Sequence, residues 1–87
     1  MKIEFDVKVK RKLKKISQKD VKLYGAFLNK ISLLRNNPAE KSLRLHKLSG
    51  RRRDAWSFSV TYSVRAVFIY VKGGILIIDI GSHNELY

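Results

Sequence analysis

Cysteine is absent from the 87 residues, which excludes disulfides and cysteine-ligated metal sites and is compatible with a reducing cytosol. Acidic residues are scarce: 7 Asp and Glu stand against 19 Lys and Arg, for a formal net charge of +12 and a pI near 10.3. So few scattered carboxylates make two-metal nuclease chemistry a poor fit. Long hydrophobic runs are missing too. The longest, Ile75 to Ile80 with Asp79 inside it, is far short of the ~20 residues that span a bilayer. Glu4 and Asp6 break any apolar region after Met1, so no secretory leader is expected. Phosphate loops of the G-x-x-x-x-G-K type, G-x-S-x-G elbows and H-E-x-x-H motifs are all lacking. Without repeats, linkers or low-complexity tracts, residues 1–87 read as one domain with a thin core, expected in the cytoplasm.

What is present is an ordinary apolar fraction of 45%, so the charge does not signal disorder. Instead it points to a polyanionic partner. Ile3, Phe5 and Val7 alternate with Lys2, Glu4, Asp6 and Lys8, the period of a half-buried strand. From Val9 the period changes: Val9, Leu13 and Ile16 form one stripe of a short helix whose other faces carry lysine and arginine. Ser17 and Asp20 are candidate caps before a second helix with the stripe Val21, Tyr24, Phe27, Leu28, Ile31 and Leu34. Asn36-Asn37-Pro38 ends it, because proline disfavours a helical residue before it.

Three strand patterns close the chain. Trp56, Phe58 and Val60 alternate with serine and threonine. Val64 to Val71 is apolar apart from Arg65, as a central strand would be. Lys72-Gly73-Gly74 is a hairpin turn, and Ile75 to Ile80 forms the last strand. Ser82 and Glu85 then have the spacing of a capping box, which predicts a helical turn beginning at His83, with His83 and Tyr87 on one face. The expected fold is α+β: a strand, two helices on one face, a three-stranded antiparallel meander and a short C-terminal helical turn.

Arg65 is the anomaly of its strand, since an unpaired charge is expensive to bury. Its partner is either Asp79 on the neighbouring strand, the C-terminal carboxylate, or a phosphate. His46 and His83 are each a surface histidine or an acid/base group. Arg51-Arg52-Arg53 is a solvated loop or a phosphate-gripping arm. Tyr87, and more weakly Tyr62, could stack on an unpaired base. If this chain cuts nucleic acid, the composition favours metal-free attack of an RNA 2′-hydroxyl on the adjacent phosphate. That reaction needs a proton acceptor, a cation and a proton donor, and histidine and arginine can supply them.

Taken together, the element order, the basic helices, Leu45-His46-Lys47-Leu48-Ser49-Gly50, Arg65 and the ending Gly81-Ser82-His83-Asn84-Glu85-Leu86-Tyr87 resemble the RelE/ParE superfamily of toxins, and its YafQ-like branch most. The resemblance implies a type II toxin that cleaves mRNA at the ribosome without a cofactor or metal and is neutralised by a tightly bound antitoxin. It implies that His83 is a principal acid/base residue, His46 a second functional histidine, Arg65 the phosphate contact and Tyr87 the aromatic that orients the base. Lys10, Arg11, Lys14, Lys47, Arg51, Arg52 and Arg53 would grip ribosomal RNA on charge alone. An antitoxin for so basic a protein should itself be acidic.

YafQ-like members carry a further histidine and an aspartate around the second meander strand, where other members often have an arginine. This chain has Ser57, Ser59 and Ser63 there, which do not titrate near neutrality. Two other functions stay open at this point: a ParE-like inhibitor of DNA gyrase, and a catalytically weak RNA-binding module.

Overall fold

A computed structural model describes residues 1–49 and 54–86. Strand β1 (Lys2–Phe5) leads into helix α1 (Val7–Lys19) and helix α2 (Val21–Asn36). A 3-10 turn (Lys41–Leu43) and a two-residue strand β2 (His46–Lys47) follow. Strands β3 (Ala55–Ser59), β4 (Val64–Val71) and β5 (Gly74–Ser82) come next, and helix α3 (His83–Leu86) ends the described chain. The sheet runs β1-β5-β4-β3-β2, with β1 parallel to β5 and the other pairs antiparallel. The meander, the central place of β4 and the terminal helical turn agree with the sequence reading; β2 is an addition to it.

The first boundary is corrected. Val7 opens α1 rather than closing β1, because the Asp6 carboxylate accepts a hydrogen bond from the Val9 amide at 2.9 Å and caps the helix. Val7 is left 62% exposed. At the other end of α1, one residue serves both helices: the Asp20 N–H bonds to the Ile16 carbonyl, while its carboxylate accepts from the Leu23 amide at 3.1 Å. This single-residue joint folds α2 back along α1. The stripe of α2 is also rotated from its expected position. Phe27, Ile31 and Leu34 are buried, with Leu23, Ala26 and Leu33 packed beside them, whereas Val21 and Leu28 face solvent.

Both helices cover one face of the sheet. Val9, Phe27 and Ile31 pack there on Phe58, Ala66, Phe68, Ile77 and Ile80. The opposite face carries a smaller cluster of Ala55, Val67 and Leu86, joined by Leu48, Ile69 and Ile78. Among the described residues no helix is long and apolar enough to cross a membrane.

A β-bulge in β5 adds one residue opposite Val67 and Phe68. Ile78 joins the helix-free cluster, and Asp79 turns toward α1. There Asp79 is nearly buried and accepts from Lys8 Nζ at 3.1 Å, Lys12 Nζ at 2.9 Å and the Ile80 amide at 2.8 Å. Lys12 also donates to the Ile80 carbonyl at 2.9 Å, so α1 is bolted to the bulge.

Burial alone would push the Asp79 carboxyl up, but hydrogen bonds from Lys12, Lys8 and the Ile80 amide outweigh it and hold the pKa below the ordinary 3.8. The depressed pKa sets the sign of the linkage. This stabilisation is complete above the unfolded-state value and is lost as the pH falls through the folded one. Asp79→Asn should therefore lower stability at neutral pH by about 1–3 kcal/mol and flatten the dependence of stability on pH below about 4. Urea titrations between pH 3 and 7 would test this, and an unchanged acid limb would count against the account.

Candidate functional site

The helix-free face is assembled from the ends of four elements. Arg65 lies near the start of β4, opposite Ser59 on β3 and Gly81 on β5. His46 on β2 is paired with Ser57 on β3, so both side chains share the face on which Arg65 stands. From β4 the Arg65 side chain reaches diagonally across β3. Its Nε donates to Ser57 Oγ at 2.6 Å, and its Nη2 donates to the Arg44 carbonyl at 3.0 Å and lies 3.3 Å from His46 Nδ1. His46 Nδ1 is itself 3.1 Å from that same carbonyl. Arg65 is half-buried and His46 exposed. The site is thus a guanidinium with one edge tied down and an imidazole at its flank, open to solvent.

The pairing of Arg65 with Asp79 is overturned, because the bulge turns Asp79 to the other side, where Lys8 and Lys12 hold it. Among the described residues Arg65 is satisfied by neutral acceptors instead; the C-terminal carboxylate lies outside them.

His83 occupies the first position of α3, as the capping box predicts. Glu85 Oε1 accepts from the Ser82 amide at 2.7 Å, and Ser82 Oγ accepts from the Glu85 amide at 3.3 Å. The hydrogen bond from the Ser82 amide foremost, and then that from the Ser82 hydroxyl, hold the Glu85 carboxyl below its usual pKa. Leu86 anchors the far end of α3 in the cluster with Ala55 and Val67, so α3 folds over the same face as Arg65. His83 is exposed and follows Ser82, which pairs with Val64. Behind α3, on the helix side, lies a hollow of about 330 Å³ between Lys12, Lys15, Ile16, Leu23 and Val64.

The remaining sequence candidates divide. Lys10, Arg11 and Lys14 are exposed on α1, and Lys47 is exposed on β2. Tyr62 stands 98% exposed on the β3–β4 turn. Arg51, Arg52, Arg53 and Tyr87 lie outside the described residues. Ser59 donates to the Thr61 carbonyl at 2.8 Å and shapes the β3–β4 turn. Ser57 was missed as a member of the site, since a serine alternating with Trp56 and Phe58 reads as the wet side of a strand. It is in fact fully buried, with its hydroxyl on Arg65. Arg44 was missed as well; among the described residues it is the one non-glycine with positive φ, 46°.

Solved structures superpose closely on this architecture. A YoeB/ParE toxin from Agrobacterium tumefaciens matches with a TM-score of 0.81 and 18% identity, over 95% of this chain and 99% of that one. The chain has the RelE/ParE toxin fold. A YafQ mutant from E. coli matches with a TM-score of 0.81 and 16% identity, over 99% of this chain and 97% of the other. The heterotetrameric YoeB–YefM toxin–antitoxin complex from Staphylococcus aureus matches with 0.78 and 20%, over 95% and 97%. No protein-family model and no curated protein sequence matches the chain. Within the RelE/ParE fold, Arg65, His46 and α3 stand on the helix-free face.

Gly81 is where this geometry is most easily disturbed. A Cβ there would meet Glu85 Oε1 at 3.1 Å, Cβ at 3.2 Å and Cδ at 3.3 Å. Gly81→Ala should push Glu85 off the Ser82 amide and loosen α3, raising the hydrogen-exchange rate of that amide by about tenfold. Global stability should change by less than about 1 kcal/mol, because the end of a four-residue helix is released rather than a core. An unchanged Ser82 amide would show that Glu85 accommodates the methyl.

Proposed function

We propose that the chain is the toxin of a type II toxin–antitoxin pair and acts as a metal-independent, ribosome-dependent mRNA endonuclease. The observation that carries the reading is the placement of Arg65 beside His46, on the face over which α3 brings His83. A guanidinium with a free edge suits a phosphate, and an imidazole next to it suits proton transfer. In the reaction a histidine accepts the proton of the 2′-hydroxyl as that oxygen bonds to the adjacent phosphorus. The P–O5′ bond breaks, the 5′-oxygen takes a proton from the second acid/base group, and a 2′,3′-cyclic phosphate and a 5′-hydroxyl result. Arg65 stabilises the extra negative charge of the pentacoordinate phosphorus. His83 is the principal acid/base residue and His46 its counterpart, with Tyr87 orienting the base.

The charge of +12 supports a polyanionic docking surface such as ribosomal RNA, with Lys10, Arg11, Lys14, Lys47 and the Arg51 to Arg53 run as contacts. It equally supports an acidic antitoxin that covers this surface. The antitoxin-bound neighbour of the same fold is consistent with that partner.

The decisive experiment is primer-extension mapping of mRNA on ribosomes with purified protein. His83→Ala should remove cleavage. Arg65→Ala should reduce its rate by about 10²–10³-fold and His46→Ala by about 10²–10⁴-fold, with circular dichroism unchanged in each. Cleavage retained by His83→Ala would sink the assignment, and gyrase inhibition in a supercoiling assay would favour the ParE-like alternative.

A further inference from the structure

Arg44 terminates the 3-10 turn with φ 46° and ψ 45°, a left-handed conformation that costs a non-glycine residue of order 1 kcal/mol or more. The carbonyl at this residue accepts from two side chains of the site. Arg65 Nη2 donates to it at 3.0 Å, and His46 Nδ1 lies 3.1 Å away. An oxygen cannot donate, so the contact with Nδ1 is a hydrogen bond only if Nδ1 carries the proton. The 3.3 Å contact between Nη2 and Nδ1 is a hydrogen bond only with Nδ1 bare, since a guanidinium cannot accept; the shorter contact with the carbonyl favours Nδ1–H. In the other tautomer the lone pair of Nδ1 would face that oxygen at the shorter distance, which is repulsive. The guanidinium has a second anchor in the buried Ser57 hydroxyl, at 2.6 Å from Nε. Among the described residues neither Arg65 Nη1 nor His46 Nε2 makes a hydrogen bond.

We propose that the left-handed backbone at Arg44 and the Ser57 hydroxyl form a positioning bracket. It fixes the plane of the Arg65 guanidinium and the Nδ1–H tautomer of His46 together, leaving Nη1 for a phosphate oxygen and Nε2 as the proton acceptor. The inference rests on the nuclease reading for its chemistry and on geometry alone for the bracket. One carbonyl sets both groups, so the cation and the base keep a constant spacing. Nδ1–H on a backbone carbonyl is a standard way to present an unprotonated Nε2. Under this assignment His46 takes the 2′-hydroxyl proton and the donor to the 5′-oxygen is a different group, for which His83 is the candidate. Ser57 and Arg44 are positioning residues, acting through Arg65 and His46.

The test combines spectra that do not depend on activity with ribosomal cleavage. Long-range ¹H–¹⁵N spectra of the purified chain, at a pH where His46 is neutral, should show Nδ1 protonated and Nε2 bare. The Arg65 Nε–H signal should exchange with water about tenfold more slowly than in Ser57→Ala. Arg44→Val cannot hold a left-handed backbone cheaply and should lose both signatures, whereas Arg44→Gly removes the same cation and should keep them.

In cleavage assays Ser57→Ala should lower the saturated rate about 10–100-fold with ribosome affinity unchanged, and it should have no further effect in an Arg65→Lys background. An Nε2–H tautomer in the parent protein, equal behaviour of Arg44→Val and Arg44→Gly, or an undiminished Ser57→Ala effect on top of Arg65→Lys would each overturn the bracket. The Arg44 pair decides the matter even if Ser57→Ala fails to fold. A parent chain that shows the spectral signatures without cutting mRNA overturns the nuclease reading instead.

Discussion

The contact on which the rest of the architecture depends is Asp79 against Lys8 and Lys12. It joins the helix layer to the central part of the sheet at the bulge in β5, and it uses that irregularity to do so. Without the added residue in β5, Asp79 would stay on the face of Val67 and Arg65 and compete for that guanidinium. Turned to α1, it stays clear of Arg65 and fixes how β5 runs on to Ile80, Gly81 and Ser82. The position of α3, and with it His83, is therefore set from the opposite side of the sheet.

The few acids follow the same logic. Asp6 and Asp20 cap the two long helices, Glu40 accepts from the Ser42 amide at the 3-10 turn, and Glu85 closes the capping box. Glu4 pairs with Lys2, and Asp79 holds the bulge. Carboxylates at helix starts satisfy orphan amides and complement the helix dipole. Used this way they neutralise few cations: among the described residues only Lys2, Lys8 and Lys12 are in ion pairs. The net charge of +12 is thus little offset by ion pairs among the described residues, at a cost in self-repulsion that a bound polyanion or acidic partner would relieve.

How much of this was legible in the sequence depends on the range of the interaction that decides each feature. Val64 to Val71 matches β4 because an apolar run between turn residues has few other outcomes. Ser82 and Glu85 gave α3 because a capping box is local. Val7 misled because three alternating residues fit a strand, while the capping bond of Asp6 ended it. On α2 Val21 and Leu28 belong to a plausible stripe, yet Leu23 and Leu33 are the ones packed, since the helix is rotated by the one-residue joint at Asp20. The bulge, the left-handed turn at Arg44 and the burial of Ser57 all arise from contacts between distant segments, and no periodicity announces them. Candidates with distinctive chemistry, such as Arg65 and His46, could be named in advance; the groups that Arg65 contacts are a serine and a carbonyl, which look like nothing in particular.

That asymmetry has a physical reason. A carboxylate would orient Arg65 at least as firmly as Ser57 and Arg44 do, but it would also cancel the charge that a phosphate needs. Neutral acceptors orient a guanidinium while leaving its full charge available, here by holding Nε and Nη2 and leaving Nη1 open among the described residues. The same carbonyl can hold a neutral imidazole without drawing its second nitrogen into an ion pair. The proposed site, which would bind an anion and move a proton within a few ångströms, is therefore best supported by groups that carry no charge.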